Sequence, residues 1–393
     1  MRIIGDTKIP FLKYRAIALG LSLVVILAGV AYELFGPGLN LGIDFRGGTQ
    51  VTLKFNHAHD LGELRDALTK LNVGEPLVQS FDESEKHEIL IRVQNPSDEE
   101  GDFTQPIIDL LAQTYNGELG DRFDLNTKGS VELAEKLAAA DPDLVGGDVT
   151  TREEHYRPIA DTVLDYRKKQ GIFDSIDNLE KISGLSPEVR DYIAGMASVG
   201  EFSLLGAENV GPAVGRDLKR QAQLAMLFAL GGMLVYIWVR FQLPYGIGAV
   251  VALFHDVLIT LSALAVTHRE INLPTIAALL TLVGYSVNDT VVVFDRVREN
   301  LRLRRGDNLE QLMDDSINQT LSRTIITSGT TLLVVLTLYI FGGDVINTFA
   351  FVLLVGILVG TYSSVFVASP VALWVNGLLV KRREKKRATS RRR

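Results

Sequence analysis

Leu279-Leu-Thr-Leu-Val-Gly-Tyr-Ser-Val-Asn-Asp-Thr-Val-Val-Val-Phe294 is apolar enough to sit in a bilayer, yet it carries Asn288 and Asp289 before reaching Asp295-Arg296 at its edge. Ionisable groups in hydrocarbon are costly, and they usually face a bundle interior or a water path. A second apolar run, Tyr245 to Val266, carries His255-Asp256 at its middle. Two such groups on separate spans point to a machine that moves protons or ions, not to a plain anchor.

Six runs are long enough to span, at about 16–34, 222–240, 244–266, 273–294, 324–341 and 349–375. The last is overlong, so it tilts or extends past the bilayer. The 393 residues, with mean hydropathy +0.18, therefore divide into four parts. Residues 1–40 hold the N-terminus and first span, 41–218 read as a water-soluble domain, 219–376 hold spans two to six, and 377–393 form a basic tail. Lys8, Lys13 and Arg15 precede the first span; Arg296, Arg298, Arg302, Arg304 and Arg305 follow the fourth; nine basic residues and one acidic make up the tail's charge. With six spans all three clusters fall on one side, which the positive-inside rule makes the cytoplasm, leaving 41–218 outside. A cleavable leader is the competing reading of the first run, with small residues at Ala28-Gly-Val-Ala31. Five remaining spans would then set the basic loop and tail against the new N-terminus. Cysteine is absent, so there is no disulfide framework and no thiolate metal site.

The outside domain opens on Leu41-Gly-Ile-Asp-Phe-Arg-Gly-Gly-Thr49. Its glycines permit a tight turn, across which Asp44 and Arg46 can pair. Gln50–Phe55 alternates as a half-buried strand, and Asp60 can cap a helix through Leu61, Leu64, Leu68 and Leu71. Pro76–Ser80 and His87–Val93 read as strands, Gln105-Pro106 starts a second helix, and Val199–Leu205 supplies a late strand. The order β-α-β-β-α-(insert)-β predicts a split βαβ, ferredoxin-like α+β domain.

The insert, 118–198, reads as all-helical: one helix near Ser130–Ala139, one near Pro158–Lys169 closing at Gly171, a third from Ser175 and a fourth opened by Pro187. Through Leu125-Asn-Thr127, Asp165–Ser175 and Leu179-Glu-Lys-Ile-Ser-Gly-Leu-Ser-Pro187 it resembles the helix-hairpin-helix domains of DNA-uptake receptors. Such hairpins hold phosphate on backbone N–H groups at a Gly-hydrophobic-Gly turn. Here Ser186 stands for the second glycine, and ten Lys/Arg face seventeen Asp/Glu. A DNA site should be basic, so nucleic acid is not the expected partner.

Three motifs carry a wider resemblance: Gly42-Ile-Asp44-Phe45-Arg46-Gly47-Gly48; Val210-Gly211-Pro212-Ala-Val-Gly215; and Gly284–Asn300, with His255-Asp256 before it. Through them nearly the whole chain outside the insert resembles the SecF family of protein-export membrane subunits. The resemblance implies a polytopic α-helical protein of the bacterial inner membrane, with six transmembrane helices forming one half of a complex whose other half is SecD. It also implies use of the proton-motive force to draw preproteins out of the SecYEG channel, a YajC-type accessory subunit nearby, and no cofactor.

For the charges, Asp289 is the first proton-relay candidate, about 7–9 Å along the helix from the Asp295-Arg296 boundary. Asp256 is the second, and Asn288 could orient the carboxylate. Low dielectric penalises a charged carboxylate, so such a group can take a proton from one side and release it on the other. Arg323 opens the fifth span at similar depth and could pair with Asp289; the resemblance implies functional roles for both. The plainer reading satisfies Asp289 with Ser, Thr and Asn partners that lock helix packing. Likewise, His255 serves as a hydrogen-bonding partner, Arg323 as an interface anchor, and Gly356 and Gly360 as close-packing residues. No phosphate loop, catalytic triad or metal cluster is legible, so nucleotide hydrolysis by this chain is not the energy source. A small-solute or lipid exporter and a non-transporting scaffold are the alternative functions.

Overall fold

The computed structural model describes residues 7–71, 73, 76–80, 87–94, 101–117, 122–304 and 307–390; the start of the insert at 118–121, Arg305 and the tail's last residues 391–393 lie outside these. The elements run α1 (Arg15–Phe35), α2 (Ile43–Arg46), β1 (Gly48–Phe55), α3 (Leu61–Leu68), β2 (Leu77–Ser80), β3 (Glu88–Val93) and α4 (Thr104–Tyr115). Then come β4 (Phe123–Asp124), α5 (Ser130–Ala140), α6 (Val149–Gln170), α7 (Pro187–Met196), β5 (Ala197–Ser198) and β6 (Phe202–Val210). Last are α8 (Pro212–Arg240), α9 (Leu243–Val266), α10 (Leu273–Leu303), α11 (Leu309–Phe341), α12 (Gly343–Ser363) and α13 (Ser369–Ser390). Two compact units result: Ile43–Asp217, and the residues through Gly42 together with those from Leu218.

In the first unit the sheet is antiparallel in the order β2-β3-β1-β6, with Thr49 of central β1 between Val93 and Asn209. Inward residues Val51, Leu53, Phe55 and Ile91 pack on Leu64 and Leu68 of α3 and on Ile107 and Leu111 of α4. The last strand starts three residues later and runs five further than the sequence suggested. It is an edge strand whose residues Leu205–Asn209 are exposed, so the alternation that betrays a half-buried strand is missing.

The opening motif is not a bare tight turn. Ile43–Arg46 makes one helical turn with Ile43 and Phe45 buried, and Gly47 then donates its N–H to the Ile43 carbonyl at 2.8 Å. Gly47 and Gly48 have φ of +73° and +129°, a backbone that side chains resist. A Cβ on Gly47 would lie 3.1 Å from Cα of Pro212, and one on Gly215 would lie 3.0 Å from N of Gly47. The glycine motif at the start of β1 and the Gly-Pro motif after β6 are therefore two sides of one close contact.

The insert has its own core, with Leu133, Leu137, Tyr156, Val163, Phe173, Val189 and Ile193 buried, separate from the core under the sheet. Its second helix begins at Val149, not at Pro158, because Asp148 caps it by accepting from the Thr151 N–H at 2.9 Å. Pro158 sits inside that helix, where it removes one backbone bond without ending the element. The third helix is a short 3-10 segment, Ile176–Lys181, capped by Ser175.

The insert is not all-helical: its ends meet where β4 pairs in parallel with β5, strands of two residues each, too short to show a period in the sequence. Buried Asn126 fastens them: its amide donates to the Phe173 and Gly200 carbonyls at 3.0 and 2.8 Å and accepts from the Phe173 N–H at 2.8 Å. At the hairpin, Ser186 accepts from the Val189 N–H to cap α7, and its hydroxyl donates to Asp143 at 2.5 Å. An internal carboxylate thus lies at the helix end a phosphate would need. Tyr156 holds the approach, accepting from the Asp143 N–H at 2.8 Å and donating to Asp141 at 2.9 Å. Burial, reinforced by the Asp141 carboxylate, pushes its phenol up to about 12, so it stays a donor.

Replacing 119–197 with a short Gly/Ser linker should leave membrane insertion and the folding of the β1–β6 sheet intact, because the two cores are separate and loop-closure cost grows slowly with length. The unmodified chain should not retard duplex DNA at physiological salt. A deletion variant whose sheet fails to fold, or tight salt-sensitive DNA binding, would refute this reading.

The second unit holds helices long and apolar enough to cross a membrane, six among the described residues: Phe11–Phe35, Pro212–Arg240, Leu243–Val266, Leu273–Leu303, Leu309–Phe341 and Ile346–Arg382. Two run well past their apolar runs. The stretch Leu309–Leu321 and the fifth span are one helix, and α10 continues to Leu303. Hydropathy ends where the bilayer would, whereas the backbone ladder continues through paired polar residues. Arg304 bonds Asp315 at 2.6 Å, and Asn300 donates to Ser316 at 2.8 Å. The overlong sixth span is α12, a π-helical turn at Ser364–Ala368, and α13. Close approach here needs glycine at one of the two positions: a Cβ on Gly356 would meet Leu282 at 2.3 Å, whereas one on Gly360 would lie 3.4 Å from Ser286, an ordinary contact. Gly356 lets α12 lie against α10.

Candidate functional site

The α10–α12 contact collects both buried carboxylates. Asp289, 2% exposed, projects from α10. Its Oδ2 accepts from the Ser328 hydroxyl of α11 at 3.1 Å and the Thr361 hydroxyl of α12 at 3.3 Å, and Thr361 lies 2.9 Å from Ser328. Three helices thus meet on one carboxylate through hydroxyl groups alone. A hydroxyl rotates to donate or accept, so this cradle can follow either protonation state.

Asp256, fully buried on α9, is the second centre. One oxygen lies 2.8 Å from Nδ1 of its neighbour His255. The other accepts from Ser286 of α10 at 2.5 Å and from Ser363 of α12 at 2.7 Å. Ser363 immediately precedes the π-helical turn, a device that re-aims side chains and recurs at functional sites. The His255 ring stacks on Tyr362 at 6.2 Å, and its buried Nε2 has no hydrogen-bond partner among the described residues. Ser286 and Asp289 share α10, and Thr361 and Ser363 share α12, so movement between these two helices would be felt at both carboxylates.

Two expected members stand apart. Asn288 is exposed, and the hydrogen bonds to Asp289 come from Ser328 and Thr361 instead. One residue along a helix turns the side chain by about 100°, so a neighbour of a buried group faces away. Arg323 is also exposed, on α11, and takes no part in the carboxylate's hydrogen bonds. The motif residues Asp44, Phe45, Arg46, Gly47, Gly48, Gly211 and Pro212 lie at the ends of α2, β1 and β6, with Gly42 at the end of the other unit. They shape backbone. Sequence reasoning did not single out Ser328, Thr361, Ser286 or Ser363. The only trace was polarity within apolar runs, as in Thr327-Ser-Gly-Thr-Thr331.

Two protein-family descriptions match: Protein export membrane protein SecD/SecF, C-terminal, over residues 191–377, and the SecD/SecF GG motif over 34–58. The protein translocase subunit SecF of Koribacter versatilis is 40% identical over 94% of this chain and 92% of its own length. That of Desulfurispirillum indicum is 37% identical over 92% and 90%. The crystal structure of SecDF, a translocon-associated membrane protein from Thermus thermophilus, has a TM-score of 0.65 and 29% identity. It matches 94% of this chain, which spans 39% of that longer one.

Proposed function

The chain belongs to the SecF family of protein translocase subunits, and we propose that it serves as an auxiliary subunit of the Sec translocase, with SecD, using the proton-motive force to promote preprotein export. The observation that carries the proton role is Asp289, held by hydroxyls from two further helices with no cation bonded to it among the described residues. An ionised carboxylate accepts from both hydroxyls at Oδ2; a proton taken up on Oδ2 turns Ser328 or Thr361 from donor to acceptor, whereas one on Oδ1 leaves both bonds in place. Proton uptake at Oδ2 would therefore rearrange the bonds joining α10, α11 and α12. Asp256 supplies a second buried proton site on the other side of the same pair of helices. Arg323 takes no part in the hydrogen bonds described for Asp289, so a pairing of the two would act through space and not through a direct bond.

The partner reading rests on polar groups left on the outer faces of spanning helices. Asn288 is exposed on α10 and Arg323 is exposed on α11. Such groups do not belong against lipid tails, and SecD is the partner that would cover them. SecYEG, the translocating preprotein and a YajC-type subunit complete the assembly. The sidedness proposed is the inner membrane, with both termini cytoplasmic and Ile43–Asp217 periplasmic. The small-solute exporter is disfavoured because one six-helix half lacks a complete pore; a pure scaffold would not need two buried carboxylates.

Co-purification from membranes tests the assignment. Mass spectrometry should find SecD in stoichiometric amount, and a reporter after Arg393 and one near Asp177 should read opposite sides. A chain recovered without SecD, or both reporters on one side, would overturn it.

A further inference from the structure

We infer that an arginine-lined pocket at the basic end of the helix bundle, where α8, α9 and α10 meet, binds the phosphate of an anionic phospholipid. The cavity measures about 380 Å³ and is lined by Arg240, Phe241, Tyr245, Phe294, Arg298 and Arg302 among others, with no carboxylate in the lining. Arg240 is neutralised by Asp295 at 2.6 Å. The other nearby acid, Glu299, is taken by Arg296 at 2.6 Å. Arg298 and Arg302 are left exposed one helical turn apart, and neither has an ion-pair partner among the described residues. Asp295 and Glu299 line an adjoining cavity with the same two arginines, but each acid is paired to a different arginine, so two guanidinium forks unpaired among the described residues make a site that attracts a phosphodiester and holds it by charge-assisted hydrogen bonds.

The rest of the pocket decides for a lipid over a free phosphate. Its floor is aromatic: Phe241 and Phe294 rings lie 6.0 Å apart, and Tyr245 and Phe294 5.2 Å apart. The Arg240 guanidinium sits 5.3 Å over the Phe241 ring. Beside it Trp238 and Val239 at the end of α8 are 77% and 76% exposed, an apolar flank along which acyl chains can run. A charged headgroup above an aromatic floor at the end of the apolar segment matches the interface of a bilayer. Free phosphate would use the arginines and waste the rest.

The test uses the full chain in detergent, titrated with phosphatidylglycerol and with phosphatidylcholine of the same acyl chains and read by native mass spectrometry. Phosphatidylglycerol should be retained preferentially, and Arg298→Gln with Arg302→Gln should weaken it about thirtyfold while leaving phosphatidylcholine unchanged. Arg298→Lys with Arg302→Lys, which keeps the charge, should retain most of the preference. On the unmodified chain, phosphatidylglycerol but not phosphatidylcholine should protect both arginines from phenylglyoxal. Equal retention of the two lipids, or no protection, would overturn the site. Displacement of phosphatidylglycerol by millimolar inorganic phosphate would reassign it to a soluble anion, and protection only by a co-purifying acidic protein would make it a protein contact.

Discussion

Asp289→Asn should reduce secretion that depends on the proton-motive force to the level of a strain lacking the chain, with abundance unchanged. Asparagine keeps the size of the side chain and can still bond Ser328 and Thr361, but it cannot take up or release a proton. The change therefore removes titration and leaves the packing between α10, α11 and α12 in place. Ser328→Ala should give a milder loss, since the carboxylate keeps its Thr361 bond. The measurement is preprotein translocation into membrane vesicles with and without an imposed proton gradient, with the chain quantified in the same vesicles. Full gradient-dependent activity in the asparagine variant would exclude an essential protonation here. A collapse in abundance would assign Asp289 to helix packing.

Gly48→Ala should be the most damaging small change in the Ile43–Asp217 unit. At φ of +129° a side chain is strained, and its Cβ would lie 2.3 Å from the carbonyl oxygen of Val93 in the neighbouring strand. Relief requires β1 and β3 to part at the Thr49–Val93 pair. Strain plus a lost close contact should cost about 3 kcal/mol or more, a large fraction of the roughly 5–15 kcal/mol that holds a typical domain together. Gly206→Ala is the control, because its Cβ would meet nothing within 4 Å. Pulse proteolysis in urea on membranes should show Gly48→Ala cleaved at clearly lower denaturant than Gly206→Ala. Equal midpoints would mean that the glycine motif is not there for its backbone.

Much of this was legible because it depends on local pattern. Apolar runs marked the spans since each helix must satisfy its own backbone in lipid, and strand alternation marked β1 and β3 since each has one inward face. Asp256 and Asp289 stood out because ionisable residues are rare in such runs. What failed has a physical reason in each case. Edge strand β6 lacks alternation, Asp148 outcompetes Pro158 as a helix start, and a polar helix extension carries no hydropathy.

The sequence by itself determined the number of spans, the chain order of the sheet domain's elements and the two carboxylates. Only the tertiary structure decided what those carboxylates touch. Ser286, Ser328, Thr361 and Ser363 reach them from helices up to 107 residues away in the chain. They arrive because Gly356 admits close packing of α12 on Leu282 and a π-helical turn follows Ser363. Asn288, next to Asp289 in sequence, is turned away from it by the pitch of the helix.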